Sequence, residues 1–116
     1  NKAYVLGRLF SVLEDAQQTA NPGINATIKD RYFSSACMTP RVAFPRLLQL
    51  NQHHLNKISN EGAVVNIIKR LGALMNKLNV DEQPFPAHLS LQEQGLFILG
   101  YYQQTQSRYT AKKEDK

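Results

Sequence analysis

The stretch of sequence that decides the fold is residues 61–78, EGAVVNIIKRLGALMNKL. Its apolar residues recur at alternating steps of four and three, which places them in one stripe along a helix. The stripe consists of Val64, Ile68, Leu71, Met75 and Leu78, widened by Val65, Ile67 and Leu74. A helix of this length spans about 27 Å, roughly the diameter of a small domain. The pattern therefore predicts a long amphipathic helix whose apolar side must be covered by other helices.

Four further segments carry helical patterns. Together with the first they predict helices over about residues 2–20, 27–37, 45–58, 61–78 and 91–109. Pro22 ends the first of these, because proline cannot continue a helix, and the capping box Ser90-Leu91-Gln92-Glu93 begins the last. Pro45 favours a turn over residues 39–44 before the third helix. The alternative is a helix that begins at Pro40 and kinks at Pro45.

The element types and the chain length set the fold class. The sequence has no convincing alternation of period two, no internal repeat and no low-complexity block, so strands are not expected. Five helices with short connections in a chain of 116 residues predict an all-α fold, a compact bundle of about five helices. We expect a single domain over residues 1–110 and a charged, disordered tail over residues 111–116.

The fifth predicted helix differs from the others because its apolar residues are nearly continuous over residues 96–102. A helix that is apolar on all sides is buried from several directions. We expect it to be the central helix; the alternative is that its outer face meets another subunit. Gly95 and Gly100 on this helix are expected to let a neighbouring helix approach closely. Gly7 on the first helix either does the same or only weakens that helix slightly.

The charge distribution suggests a polyanion as partner. The chain has 14 Lys and Arg against 9 Asp and Glu, a net charge of +5. From Arg31 to Lys77 seven basic residues face one acid, a local charge of +6. The candidate nucleic-acid-binding residues are Lys29, Arg31, Arg41, Arg46, Lys57, Lys69, Arg70 and Lys77. Tyr32 and Phe33 offer a stacking surface for bases; the alternative is a solvated basic face with both rings in the core.

Residues that commonly carry catalysis or bind metals do not form a set. His53 and His54 are adjacent, so they point about 100° apart on a helix and do not share a metal easily. His88 lies in a loop, and the single Cys37 excludes an internal disulfide framework and a multi-cysteine zinc site. We therefore expect no catalytic residue, no metal and no cofactor. An enzyme that uses Cys37 or the histidines stays open as an alternative.

Other sequence features point away from further classes. Glu14 and Asp15 are interpreted as solvated charges at the end of the first helix. Neither a phosphate-binding loop nor a dinucleotide-binding glycine motif occurs. No stretch approaches 18 consecutive apolar residues, and no signal peptide is visible, so a membrane is not among the expected partners.

Three long motifs resemble one family. They are residues 21–36, NPGINATIKDRYFSSA; residues 44–48, FPRLL, followed by His53-His54-Leu55; and residues 89–102, LSLQEQGLFILGYY. Each is similar to a segment of the large subunit of type I-C CRISPR Cascade, and the resemblance extends from about Ala3 to Tyr109. It covers only the C-terminal helical part of that much longer protein.

The resemblance implies a function. In type I-C systems this part resembles the Cascade small subunit, which is made separately by translation from an internal start. Such subunits are non-catalytic helical bundles of the prokaryotic cytoplasm. Their expected partners are the backbone and large Cascade subunits, further copies of themselves, target DNA (mainly the displaced non-target strand) and, indirectly, the guide RNA. The alternative is a protein-only helical adaptor or assembly scaffold without direct nucleic-acid contact.

Overall fold

The computed structural model describes residues 1–78 and 83–114 and forms a bundle of five α-helices. They are α1 (Lys2–Ala20), α2 (Ile28–Met38), α3 (Pro40–Lys57), α4 (Glu61–Leu78) and α5 (Leu91–Glu114). The described residues contain no strand. The prediction of an all-α bundle of about five helices is therefore confirmed.

The central helix of the bundle is α1, not α5 as expected. α1 contacts each of the other four helices, and nearly all of its residues from Ala3 to Ala16 are buried. By contrast α5 packs mainly against α1 and leaves an apolar outer face exposed, with Leu99 47% and Tyr102 53% accessible. The apolar run of α5 thus exceeds what one neighbouring helix can cover.

The contact between α1 and α5 depends on two glycines. A Cβ on Gly7 would collide with the backbone carbonyl of Phe97, and a Cβ on Gly100 would collide with that of Tyr4. The two backbones therefore touch, as expected for Gly100 and as one of the two alternatives for Gly7. Gly95 faces open space, so the expectation for that residue was wrong.

The two helices run in the same direction. Arg8 Nε donates to Gln104 Oε1 at 3.0 Å; two turns further along α1, Asp15 Oδ1 lies 3.5 Å from the guanidinium of Arg108, which is one turn further along α5. Because the contacts advance in the same direction along both helices, α1 and α5 are parallel. Their edge-on aromatic neighbour, Phe33 of α2, has its ring centroid 5.1 Å from that of Tyr101.

The third helix begins earlier than expected. α3 starts at Pro40 and continues through Pro45 to Lys57, so the turn predicted over residues 39–44 was wrong. Proline is favoured at the first helical position because a backbone N–H at that position would have no hydrogen-bond acceptor within the helix. Pro45 lies in the first turns and is exposed, so the one hydrogen bond that it removes is lost where solvent has access.

The other helix bounds follow the capping signals. Thr27 and Asp30 form a capping box at the start of α2, and Glu93 accepts from the backbone N–H of Ser90 at 2.8 Å at the start of α5. α5 continues past the expected end at Tyr109 to Glu114, so the tail expected over residues 111–116 overlaps its last turn. The remaining tail residues, 115 and 116, lie outside the described range, as do residues 79–82 of the connection predicted between the fourth and fifth helices.

The buried face of α4 is narrower than its apolar pattern. Ile67, Leu74 and Leu78 are buried, whereas Ile68 is 51% exposed and Val65 is 52% exposed. Placing Ile68 in the core stripe was therefore wrong. The physical reason is that α4 packs mainly on α1 alone, and a single neighbour covers only one strip of a helix surface.

Candidate nucleic-acid interface

The eight basic residues singled out from the sequence divide into two groups. In the first group the side-chain cation contacts another residue of the bundle. In the second group the cation is exposed and has no hydrogen bond or ion pair to another residue of the described range. The first group is Lys29, Arg41 and Arg70; the second is Arg31, Arg46, Lys57, Lys69 and Lys77.

Lys29 ties the start of α2 to α5. Its Nζ donates to the hydroxyl of Tyr102 at 3.2 Å. The same ammonium lies 5.1 Å from the ring centroid of Tyr102 and 5.3 Å from that of Tyr101. A cation over aromatic faces at these distances is stabilised by the ring quadrupoles. The aromatic contacts therefore hold the charge of Lys29 against the bundle.

Arg41 holds the segment before α5. Its Nε donates to the carbonyl of Phe85 at 3.3 Å, and a further guanidinium nitrogen donates to the side chain of Gln83. Its backbone N–H donates to the carbonyl of Pro86 at 3.1 Å. The ring of Phe85 stacks on that of Phe44, with centroids 5.4 Å apart. Arg41 thus has a clear structural role at the N-terminal end of α3.

Arg70 joins α4 to an ionic cluster on α1. Its guanidinium donates to Asp15 Oδ2 at 2.8 Å and, through Nε, to Asn66 at 2.8 Å. Asp15 is 7% exposed and Glu14 is 4% exposed. The interpretation of these two acids as solvated charges was therefore wrong, because a helix that is surrounded by four others has no solvated side at this level.

The same cluster receives Arg108 from α5. Its guanidinium lies 3.6 Å from Glu14 Oε1 and 3.5 Å from Asp15 Oδ1, and it donates to the carbonyl of Ser11 at 3.3 Å. Buried charges persist only when they are paired and hydrogen-bonded in this way. Sequence reasoning missed Arg108; the available signal was a lone cation after the uncharged residues 94–107.

Glu14 has two further partners. Tyr101 donates its hydroxyl to Glu14 Oε1 at 2.5 Å, and Thr27, the N-cap of α2, donates to Glu14 Oε2 at 2.7 Å. Burial, and then the contact with Glu14, raise the pKa of Tyr101 well above its usual value. The cluster therefore connects α1 with α2, α4 and α5.

Two of the exposed cations converge on a groove between α2 and α3. Arg31 and Arg46 line this groove, whose volume is about 580 Å³. Tyr32, half-buried, lies in its wall, whereas Phe33 belongs to the aromatic core beside Phe10 and Phe97. The two rings paired in the sequence therefore have different environments, and only Tyr32 reaches the surface that carries the arginines.

Lys57 extends this cationic surface along α3. It follows Arg46 by eleven positions, which corresponds to about three helical turns and nearly the same side of the helix. His54 lies between them and also lines the groove. Burial, and then the neighbouring Lys57 and His53, lower the pKa of His54, so its imidazole is neutral at pH 7.

Lys69 and Lys77 form a second exposed cationic surface on α4. Both side chains are exposed, and between them lie the small exposed residues Gly72 and Ala73. They are separated by eight positions, about two helical turns. The structure thus offers two basic surfaces, one along α2 and α3 and one on α4.

Cys37 occupies a buried position against α5. Its Sγ lies 3.7 Å from the backbone carbonyl of Gln94, and burial raises the pKa of the thiol. A raised pKa leaves the thiol protonated and weakly nucleophilic at neutral pH.

Within the described ranges no three His, Cys, Asp or Glu side chains gather as metal ligands. None of the described helices has the length and hydrophobicity that a membrane span requires.

The fold and its surfaces define a class of protein: a small helical bundle that carries exposed cations on three of its helices and an apolar outer face on a fourth. A match to the family described as CRISPR-associated protein (Cas_Csd1) covers residues 1–109. The chain therefore belongs to this CRISPR-associated family. No curated protein matches it.

Proposed function

We propose that the chain is the non-catalytic small subunit of a type I-C Cascade, made from an internal start within the large-subunit gene. In this role it packs along the backbone subunits and stabilises the R-loop. It contacts DNA without reading its sequence, mainly on the displaced non-target strand. The family match supports a component of a CRISPR system, and the exposed cations support the contact with DNA.

The observation that carries the proposal is the separation of charges between the interior and the surface. Glu14 and Asp15 are neutralised inside the bundle by Arg70 and Arg108. Five cations remain exposed and unpaired within the described range: Arg31, Arg46, Lys57, Lys69 and Lys77. Exposed cations on a rigid scaffold suit phosphate contacts, which position a strand without specifying its sequence.

The apolar outer faces support assembly with other subunits. On α5, Leu99 and Tyr102 are exposed, and on α4, Val65 and Ile68 are exposed. Large apolar side chains grouped on one side of a helix are typical of protein contacts. In the proposed role these faces meet the backbone subunits, the large subunit or a second copy, and the guide RNA is contacted only through those subunits.

We also propose that the chain is not an enzyme. Cys37 faces a backbone carbonyl instead of a base, and a nucleophilic thiol requires a base or a lowered pKa. His54 offers a neutral imidazole in the groove, but its Nδ1 has no hydrogen-bond partner among the described residues, so no carboxylate there orients it as a general base. Cleavage of target DNA then belongs to another component.

The test is binding of target DNA by the guide-RNA complex, assembled with and without this chain, across a series of salt concentrations. Assembly with the chain should raise the affinity and steepen the dependence of log K on log salt, because each released counterion adds to the slope. Unchanged affinity and slope, with the chain present in the complex, would contradict the DNA contact.

A matched pair of variants locates the contact. Lys69→Gln with Lys77→Gln removes two positive charges. Gln92→Glu with Ser107→Glu, both at exposed positions of α5, adds two negative charges on a helix that carries neither basic surface. Net charge changes equally in the two proteins. We expect R-loop stability to fall markedly more for the lysine pair.

A second candidate function is a protein-only helical adaptor. The exposed apolar residues of α4 and α5 favour it, because they serve assembly without any DNA. It predicts that removal of all five exposed cations leaves both DNA affinity and salt slope unchanged, while a substitution such as Leu99→Ser on the outer face of α5 prevents incorporation into the complex.

A further inference from the structure

The groove between α2 and α3 combines two guanidinium groups with an aromatic ring. α2 supplies Arg31 and Tyr32, and α3 supplies Arg46, Leu50 and His54. Its volume of about 580 Å³ lies within the usual range of small-ligand sites, roughly 300–1,000 Å³. The groove is therefore large enough to hold one monomer of a polymeric ligand.

The two arginines suit a phosphate. A guanidinium is planar and donates two parallel hydrogen bonds to phosphate oxygens, and it remains charged at any physiological pH. Neither Arg31 nor Arg46 has a partner within the described range. The one acid that lines the groove, Asp30, accepts from the backbone N–H of Thr27 at 3.0 Å as part of the α2 cap. The groove therefore keeps an excess of positive charge.

The remaining walls suit a nucleobase. Tyr32 is half-buried, so its ring is held in place, and the side chains of Leu50 and Ile28 are apolar. Bases stack on such rings with little dependence on sequence, because each base has a π-face.

We propose that this groove binds one nucleotide of single-stranded DNA, with its phosphate on Arg31 and Arg46 and its base against Tyr32. The inference rests on the proposed function and adds a contact with the base to the contacts with phosphates. In a duplex the bases are stacked on one another and do not reach such a groove, so the groove selects single strands. The lysines of α4, by contrast, contact phosphates only.

The first measurement compares two labelled strands by fluorescence anisotropy, using the full chain. One strand is a 20-nucleotide oligothymidylate; the other has the same length and phosphates but abasic sugars. The wild-type chain should bind the strand with bases about tenfold more tightly, as expected for one stacked base. Tyr32→Leu should abolish this difference, and Tyr32→Phe, which retains the ring, should preserve it.

The second measurement separates the two basic surfaces. Arg31→Gln with Arg46→Gln should weaken binding of both strands and flatten the salt slope by about 1.4, the value for two phosphate contacts on a single strand. The matched control, Lys69→Gln with Lys77→Gln, should flatten the slope similarly but leave the preference for bases unchanged. Far-UV circular dichroism and thermal midpoints establish that each variant is folded.

A third measurement does not depend on the stability of any variant. A strand carrying 4-thiothymidine is photocrosslinked to the wild-type chain, and the attached peptide is identified by mass spectrometry. We expect attachment within residues 27–33, which include Tyr32. Attachment confined to α4 would overturn the groove as the site of the base.

The outcomes distinguish this inference from the function on which it rests. If the wild-type chain binds neither strand at low salt, the proposed function fails and the groove fails with it. If the chain binds both strands equally well, and Tyr32→Leu changes neither affinity, the DNA contact stands and the nucleotide groove is wrong. A preference for bases that Tyr32→Leu removes and Tyr32→Phe retains supports the groove.

Discussion

At the scale of single residues, the buried ionic cluster is the feature with the largest expected effect on stability. Arg108 is the only described cation that reaches both Glu14 and Asp15, and its side chain is 5% exposed. Asp15 keeps Arg70 as a partner, but Glu14 has no other cation. Loss of Arg108 therefore leaves a buried carboxylate that only hydroxyl donors satisfy.

Arg108→Met should accordingly lower the free energy of unfolding by about 3–5 kcal/mol, measured by urea denaturation. The matched control is Arg46→Met, an exposed position where the change should stay within about 0.5 kcal/mol. The double variant Glu14→Gln with Arg108→Met should recover part of the loss, because it removes the unpaired charge. Equal losses for Arg108→Met and Arg46→Met would contradict the cluster.

The hydroxyl of Tyr101 is expected to make the free energy of unfolding decrease as the pH becomes alkaline. Its pKa is raised in the folded protein by burial and by Glu14, so the folded state holds the proton more tightly than the unfolded state does. The stabilisation is complete below the unfolded pKa of about 10 and is lost as pH rises above it. Between pH 9 and pH 11 the urea midpoint should fall further for the wild-type chain than for Tyr101→Phe. Parallel decreases would show that Tyr101 does not contribute.

At the scale of elements, the packing of α1 on α5 separates two kinds of glycine. At Gly100 an added methyl group meets the backbone of α1, whereas at Gly95 it meets nothing within 4 Å. Gly100→Ala should therefore destabilise by about 3 kcal/mol or prevent folding, since backbone atoms cannot move aside as side chains do. Gly95→Ala should stabilise by about 0.5–1 kcal/mol, because alanine is the better helix former. Urea midpoints of the two variants test this; equal midpoints would exclude the close contact.

The sequence predicts helices better than it predicts which side of a helix is buried. Capping boxes, Pro22 and the apolar pattern of α4 act locally, so the bounds of α1 and α4 and the starts of α2 and α5 could be predicted, whereas Pro45 gave a wrong start for α3. Ile68 and Ile67 fit the same apolar pattern on α4, and only the position of α1 decides that Ile67 is buried. The continuous apolar run of α5 likewise gave no indication that α1 is the central helix.

The candidate site was predictable in composition but not in arrangement. Eight basic residues were singled out, and charge counting cannot tell that Lys29 lies over aromatic rings or that Arg70 reaches Asp15. Such pairs form between residues far apart in sequence. The convergence of Arg31 and Arg46 on one groove depends in the same way on how α2 packs against α3.

At the scale of the whole molecule, α1 makes the bundle one cooperative unit. It contacts the other four helices, and the cluster at Glu14 and Asp15 connects it by side-chain contacts to α2, α4 and α5. No described helix therefore has a core of its own, and loss of α1 packing exposes the apolar side of each. A single domain of this size usually unfolds in two states.

Thermal unfolding should then give one transition in which far-UV circular dichroism and tyrosine fluorescence coincide. The weakest attachment is that of α4, which packs mainly on α1, so the sharpest probe is Leu74→Ala in its buried face. Removing this side chain should cost about 2–5 kcal/mol and lower the midpoint of both signals equally, although the tyrosines nearest the core lie on α2 and α5. A separate early loss of helical signal, with tyrosine fluorescence unchanged, would mean that α4 unfolds alone. Its basic surface could then move independently of the groove between α2 and α3 when the chain binds DNA.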